Sequence, residues 1–516
     1  MEKLKSLIPD SLKRMVSEST PDELPRTCSF LLDFFSDVEP FHQMVRDLTD
    51  PERSLCGKNK DASLELKRKG NQCFLNEDYA MALTCYSEAL RLAPIDAEDM
   101  DKNLAATLYL NRAFVLHKLD LLKESRRDCN RALQISPCYA KAWYRRGKVN
   151  VSLGNHEDAA RDLNIAHKVE LSLGGNREIE NELKIISDQH GSSASSVLHD
   201  QKLEILEICT VLLTENFWTD EPQHIKLKCV TTTNKGREMV SPSDIPPASL
   251  VHVEEPYAMS QCLAYLQIIL KHCRETHCHY CLNDLPPDKV SCMSCSIPLY
   301  CSQHCQIRAG GHVPRNYSLN HGIEGNLSDN LDRYISEIPL SHDSGPDADI
   351  PEHKHECQGV HWPAILPSDI VLAGRVLIKS LAQRSLADIT NFAEMLIVML
   401  ISQIRVNSMA IVRMKSADVN GLSDLFRKSS HSEGALTSNV EQVVRVGQAI
   451  YRAGSLFNHS CQPNIDAYFL SRTLFIRTTE YVAAECPLEL SYGPQVGQWD
   501  CKERRKFLED QYSFRC

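Results

Sequence analysis

No long apolar run occurs in these 516 residues. The most apolar helical stretch, Phe392 to Ile401, is interrupted by Glu394 and is far shorter than the ~20 residues that a membrane-crossing helix needs. The opening MEKLKSLIPDSLKRMV carries charge throughout in place of an apolar segment, so no secretory signal is expected. No lipidation motif stands out. The terminal SFRC puts its cysteine last, where prenylation does not occur. Positive charge is not in excess either: 57 Lys+Arg face 68 Asp+Glu, a formal net charge of −11, which argues against wholesale nucleic-acid binding. The expectation is a cytoplasmic and nuclear protein with no membrane and no direct nucleic-acid partner.

Cysteine is abundant, with 21 copies. Without a signal peptide, a reducing compartment disfavours disulfides. Clustered cysteines then read as metal ligands and scattered ones, such as Cys28, Cys56, Cys209 and Cys229, as buried apolar residues.

Small and aromatic residues recur in the N-terminal half. The first copy has Gly70, Tyr79, Ala82, Tyr86, Ala89 and Pro94; the second has Ala113, Leu122, Ser125, Ala132 and Pro137; the third has Gly147, Gly154, Ala159 and Ala166. The polar stretch Asp96 to Asn103 absorbs the extra spacing between the first two copies, as a loop would. The pattern resembles a tetratricopeptide repeat: two antiparallel helices with small residues at the crossing and Pro ending the second. The inner helices of such arrays line a concave groove. The groove positions hold Lys67 and Asn71, Asn111, and Lys141 and Arg145. The pairs four apart share a helical face. Two amides and three cations make a site for carboxylates. The set resembles the carboxylate clamp that holds the C-terminal EEVD tail of heat-shock chaperones.

From His277 the chain reads HCHYCLNDLPPDKVSCMSCSIPLYCSQHC. It contains two CxxC knuckles, Cys278/Cys281 and Cys292/Cys295, and a pair four apart, Cys301/Cys305. Knuckles of this kind suit tetrahedral zinc better than a redox dithiol. HKHEC adds His353 and Cys357, spaced for one helix face. The pattern resembles a MYND finger. That resemblance implies two zinc ions, one on Cys278, Cys281, Cys301 and Cys305 and one on Cys292, Cys295, His353 and Cys357. Residues 306–352 are polar and turn-rich and read as an inserted flexible loop.

One further stretch, GSLFNHSCQPN from Gly454 to Asn464, sets Asn458, His459 and Cys461 side by side. By itself it reads as a metal clip, a Cys–His nucleophile or a tight polar crossing. Around it lie NKGR (Asn234 to Arg237), strand-like Leu250 to Val253, the cysteine cluster, DAYFL, LFIRTT, ELSYG and QYSFRC. In this order the pieces resemble the SET-and-MYND family of protein methyltransferases, in the class with N-terminal tetratricopeptide repeats. The family's fold threads NHSC beneath another strand. The resemblance implies S-adenosyl-L-methionine held by Lys235, Gly236, Arg237, Asn407, Asn458, His459, Tyr492 and Phe514, with Tyr492 catalytic. A neutral substrate lysine would displace the methyl in line, so alignment in a dry channel matters more than acid–base groups.

Two departures stand out. Glu238 takes the place of a second Gly in the cofactor turn. The sequence also stops at Cys516, ahead of the family's CxCxxC run. A third zinc site is then incomplete, with Cys461 and Cys516 alone, and the chain reads as C-terminally shortened.

The expected fold is multidomain α+β: an N-terminal α-helical tetratricopeptide array, then a β-rich SET fold interrupted by a MYND zinc finger and a helical insert. Boundaries are 1–60 for a helical segment, 61–172 for the repeats, 173–226 for a helical linker, 227–277 for the first SET part, 278–357 for the finger, 358–445 for the helical insert and 446–516 for the catalytic core. The expected function is a protein-lysine methyltransferase with a chaperone-tail-binding repeat domain. The alternative is an adaptor, weak or inactive in catalysis, that joins partners through the repeats and the finger. Proline-rich peptides or deacetylase complexes would be partners of the finger, and a protein with a target lysine the substrate.

Overall fold

Three short helices lead the chain: α1 (Asp10–Glu18), α2 (Leu24–Ser36) and α3 (Glu39–Thr49). The computed structural model describes residues 7–20, 23–49, 57–94, 104–170, 172–191, 225–233, 236–256, 267–292, 295–309, 366–382, 400–401, 403–414, 443–512 and 514.

The helical array starts where side chains cap free backbone donors. Asn59 accepts from the Ala62 N–H to open α4 (Lys60–Leu75), and Asp78 accepts from the Met81 N–H to open α5 (Tyr79–Leu92). The same hairpin recurs as α6 (Leu104–Lys118) with α7 (Leu122–Ile135), and as α8 (Ala140–Ser152) with α9 (His156–Val169). Small residues sit where the helices cross. A Cβ at Gly70 would lie 2.8 Å from the Tyr86 ring, and one at Gly147 would lie 2.9 Å from Leu163. Ala82, Ala89, Ser125, Ala132, Ala159 and Ala166 are fully buried.

The array runs further than expected. In α10 (Leu173–Gly191), Ile179 and Ile186 are buried in the same core as the repeats. They are seven apart and share a helix face, so this face covers the end of the last hairpin. Residues 173–191 are therefore part of the array and not a linker. The polar stretch 96–103 and the Ser-rich 192–196 lie outside the described residues.

The second half is β-rich. Strands β1 (Lys228–Thr232) and β2 (Gly236–Val240) form a hairpin. Strands β3 (Leu250–Glu254), β10 (Ile465–Leu470) and β11 (Thr473–Thr478) form one sheet in the order β10-β11-β3. Strands β4 (Gln267–Ile269), β7 (Ser408–Met414) and β8 (Val443–Ile450) form another, in the order β4-β8-β7. Two short parallel strands, β9 (Asn458–His459) and β12 (Glu489–Leu490), pair with each other, as do β5 (Val290–Ser291) and β6 (Leu299–Tyr300), antiparallel. Val251, Ile411, Val446, Tyr451, Phe457 and Ile476 belong to one buried core. Helices α11 (Gln303–Arg308), α12 (Ser368–Ala382) and α13 (Cys501–Tyr512), with 3-10 turns at Lys271–Cys273 and Gly454–Leu456, complete the described elements.

Residues 358–445 are not all helical. α12 lies there, but Ser408–Met414 is strand β7, paired antiparallel with β8. The β-branched pair Ile411–Val412 favours an extended pleat, and Ile411 is fully buried against β8.

The Cys-rich segment docks on the array through ions. Arg112 is 1% exposed in its side chain and forks onto Asp128, at 2.6 and 2.9 Å. Arg131 also meets Asp128, at 2.6 Å. Both arginines donate to the Asp288 carbonyl, at 3.2 and 2.6 Å, and Arg127 forks onto the Asp288 carboxylate, at 2.8 and 2.9 Å. Nearby, Ser291 donates to the Leu90 carbonyl and Gln303 to the Gln134 side chain. Burial alone would push the Asp288 carboxyl up. The Arg127 hydrogen bond and the charges of Arg131, Arg127 and Arg112 outweigh it and hold the group below the usual range.

A folded-state value below the unfolded one means that this stability is present above about pH 4 and lost as pH falls further. Asp288→Ala leaves the three arginines short of one carboxylate, at a cost of about 3 kcal/mol. The expected result is an earlier urea transition for the full chain, with Asp288→Asn in between because it keeps an acceptor. Coincident curves for Asp288→Ala and the parent would refute the role given to this contact.

Candidate functional site

Three clusters of chemistry-bearing side chains emerge. The first lies on the inner helices of the array. Lys67 and Asn71 share a face of α4, Asn111 sits on α6, and Lys141 and Arg145 share a face of α8. The structure joins the middle of this set. The Asn111 Nδ2 donates to Asn71 Oδ1 at 3.4 Å. Arg145 donates to the carbonyl of Leu110, the residue before Asn111, at 2.7 Å, and lies over the Phe114 ring at 4.6 Å. Burial lowers the pKa of both Lys67 and Arg145. Among the described residues, neither these two nor Lys141 pairs with a carboxylate. Partly desolvated cations without an acid are costly, and a bound anion relieves that cost.

Two groups at this groove escaped the sequence reading. Tyr86 counted there only as a repeat residue, yet its hydroxyl donates to Asn71 Oδ1 at 2.7 Å. Phe114 carries no repeat signal at all. Neither role has a local signature, because each depends on contact between different helices.

The second cluster is a set of thiols. Cys278 and Cys281 lie on one turn, Cys301 follows β6 and Cys305 lies on α11. Their sulfur atoms all lie within 4.8 Å of one another, with Cys281–Cys301 and Cys301–Cys305 at 3.5 Å. The backbone sets this up: the Ser302 hydroxyl caps α11 by accepting from the Cys305 N–H, and Cys278 N–H donates to the Asn283 carbonyl across the turn. Four sulfurs bound at about 2.3 Å to one tetrahedral ion would stand about 3.8 Å apart, so this donor set fits a metal ion. Hydrogen bonds among the four sulfurs pull the Cys278 thiol below its ordinary range and push Cys281 and Cys305 above theirs. Cys292 and Cys295 are buried in the same cluster. His353 and Cys357, expected beside them, lie outside the described residues, as does Cys516.

The third cluster forms where distant strands meet. β12 lies parallel to β9, with Glu489 opposite Asn458 and Leu490 opposite His459. On its other side the segment entering β12 bridges to β2, through Val240 with Pro487 and the Leu488 N–H to the Met239 carbonyl. The Asn458 Nδ2 then donates to the Arg237 carbonyl at 2.7 Å, across 221 positions of sequence. His459 is buried; its Nδ1 accepts from the Tyr492 N–H at 3.0 Å. Its Nε2 lies 3.3 Å from the Cys461 sulfur. With Nδ1 as acceptor, the neutral ring carries its proton on Nε2, directed at that sulfur.

An aromatic wall surrounds His459: Tyr492 at 5.2 Å and Phe514 at 5.9 Å, with Tyr512 at 4.9 Å from Tyr492. The Tyr492 hydroxyl donates to the Phe457 carbonyl at 2.8 Å. Burial, then Tyr512, pushes its pKa up to about 12. Glu254 holds the turn before β9 by accepting from the Ala453 and Gly454 N–H groups at 2.8–3.1 Å. Burial would raise this carboxyl, but His252 and the two amides outweigh it and hold it low.

Gly236, Arg237, Asn458, His459, Tyr492 and Phe514 thus come to one region. Gly236 takes the left-handed φ of +73° at the start of β2, a conformation glycine adopts without strain. Glu238 lies buried in β2 opposite Val230, one residue beyond Arg237. Asn407 donates to Gln403 of its own helical turn at 2.8 Å and has no bond to β9 or β12 among the described residues. Lys235 lies outside the described residues.

No protein-family model matches the chain. Among curated proteins it is similar to the human mitochondrial import receptor subunit TOM70, 36% identical over 104 residues, which are 20% of this chain and 16% of that protein. It is also similar to human DnaJ homolog subfamily C member 7, 32% identical over 134 residues, 26% of each chain. The matched region therefore spans about a quarter or less of the length of these relatives. Among solved structures, the first TPR of Spaghetti (RPAP3) bound to HSP90 peptide SRMEEVD is 30% identical, covers 27% of this chain and 98% of that one, and gives a TM-score of 0.22. The N-terminal helical array, residues 60–191, is a tetratricopeptide array, and the described residues after it form a β-rich region.

Proposed function

We propose that the protein is an adaptor that captures acidic C-terminal peptide tails, of the EEVD kind carried by heat-shock chaperones, in the groove of its repeat array. One observation carries this reading. Lys67, Lys141 and Arg145 lack acidic partners among the described residues, two of them are desolvated, and Arg145 bonds the Leu110 carbonyl next to the bonded Asn71–Asn111 pair. A tail with several carboxylates supplies what such a site lacks, through charge-assisted hydrogen bonds. The docking of the Cys-rich segment through Arg112, Arg127 and Arg131 uses other residues, so it leaves these five side chains to a ligand.

Zinc is the ion this reading assigns to Cys278, Cys281, Cys301 and Cys305. Four thiolates leave no open coordination position, so its part is structural. It would staple β6, α11 and the turn at Cys278 into a unit that presents Asp288 to the array.

A second reading, protein-lysine methylation, is favoured by the meeting of Arg237, Asn458, His459, Tyr492 and Phe514 across the chain. Bound S-adenosyl-L-methionine would supply an electrophilic methyl group. Asn458 holds β2 against β9, and Tyr492 and Phe514 pack beside His459. Because the Tyr492 proton is given to Phe457, its oxygen is left as an acceptor that can orient a substrate amine. The SET-and-MYND resemblance supports the same reading, and a cytoplasmic and nuclear location suits both.

Three measurements test these proposals. A fluorescent peptide ending in EEVD binds the full chain, and Lys141→Ala weakens it at least tenfold, the size of a lost charge-assisted hydrogen bond; equal affinities would refute the groove. Metal analysis of the purified full chain finds zinc, and Cys278→Ser lowers the content by one ion per chain. Zinc-free protein, or unchanged content in the variant, would remove the metal assignment. Calorimetry with S-adenosyl-L-methionine gives heat with the parent and none with Asn458→Ala, whereas no heat in either would leave the adaptor reading alone.

A further inference from the structure

We propose that Tyr86 is a positioning residue of the tail-binding groove: its hydroxyl holds the Asn71 side-chain amide in the orientation that offers N–H donors to a carboxylate. The inference rests on the groove reading above and adds a group that the five-residue clamp does not contain.

The physical problem lies in asparagine itself. The two ends of its amide have nearly the same shape and opposite hydrogen-bonding sense. Turned one way, Asn71 offers two donors to an anion. Turned the other way, it presents an oxygen and repels the anion. A partly exposed Asn with nothing to hold it samples both.

Here the choice is made by neighbours. Tyr86 is buried, with its ring packed under Gly70 so closely that a Cβ there would lie 2.8 Å from Cε1. The crossing of α4 and α5 therefore fixes where the hydroxyl sits. From that position it donates to Asn71 Oδ1 at 2.7 Å, and Asn111 Nδ2 donates to the same oxygen at 3.4 Å. The oxygen of Asn71 is thus engaged twice, while its Nδ2 donates to no group among the described residues. Flipping the amide would set Nδ2 against the Asn111 Nδ2 donor. Burial pushes the Tyr86 pKa up to about 12, so the hydroxyl keeps its proton through the physiological range. The absent Cβ at Gly70 and the Tyr86 hydroxyl act together: the first admits the ring, and the second orients the amide.

The test is a double-mutant cycle on the full chain, read by anisotropy of a fluorescent peptide ending in EEVD with a free carboxylate. Tyr86→Phe keeps the ring beneath Gly70 and removes only the hydroxyl. It should weaken binding about fivefold, the effect of one ordinary hydrogen bond. In an Asn71→Ala background the same substitution should change nothing, because the group it orients is gone. A loss of equal size in both backgrounds would mean that Tyr86 acts through packing and would overturn the proposal, as would Tyr86→Phe binding like the parent. If Asn71→Ala and Lys141→Ala both bind like the parent, the groove reading falls and this inference falls with it. If those two lose affinity and Tyr86→Phe does not, only this inference falls.

Discussion

The lattice of Arg112, Arg131, Asp128 and Asp288, buried and closed on its outer side by the half-exposed Arg127, is the contact on which the arrangement of the molecule turns. Three guanidinium groups share two fully buried carboxylates, and two of the three, Arg112 and Arg131, are buried as well. Such a group of charges tolerates little displacement, since each ion that loses a partner is left desolvated. It therefore sets one relation between the array and the Cys-rich segment. It also engages Arg112, Arg127 and Arg131 in an internal contact, whereas Lys67, Lys141 and Arg145 meet no carboxylate among the described residues.

The same division of labour recurs at smaller scale. At the repeat crossings, glycine and alanine contribute by what they omit, and space without a Cβ is taken up by Tyr86 and Leu163. At the thiol cluster, two short turns and a capped helix bring four sulfurs together that span 28 positions of sequence, from 278 to 305. At the strand crossing, β12 is held between β2 and β9, and the polar side chains there bond mostly to the protein itself. Asn458 and His459 thus serve as ties between strands as well as candidates for ligand contact.

Seen together, the three clusters describe a protein with one groove of cations unpaired among the described residues, one four-thiol cluster whose geometry fits a metal ion and one aromatic-walled crossing. The groove and the crossing have different physical requirements. A peptide groove works by charge, and partial desolvation strengthens it. A methyl-transfer site works by alignment and dryness, which the packing of Tyr492, Tyr512 and Phe514 around His459 favours. An adaptor needs the first, and an enzyme needs both.

Much of this was legible in residue order. Repeats announce themselves because identical crossings need small residues at identical intervals, and CxxC knuckles are visible because one turn holds both sulfurs. The groove-facing Lys, Asn and Arg follow from the same register. Other features were not legible. Residues 173–191 looked like a linker, since the two isoleucines that seal the array have meaning only against the last hairpin. Ser408–Met414 looked like part of a helical insert, and its pairing with β8 adds to the preference of Ile411–Val412 for an extended pleat. Asp288 was one polar residue in a turn-rich loop until it met arginines at least 157 positions away. Local periodicity is set by the backbone's own geometry and can be read from the chain. Contacts such as Tyr86 with Asn71, Arg237 with Asn458 and Arg127 with Asp288 depend on which surfaces close on each other, and only the folded structure decides that.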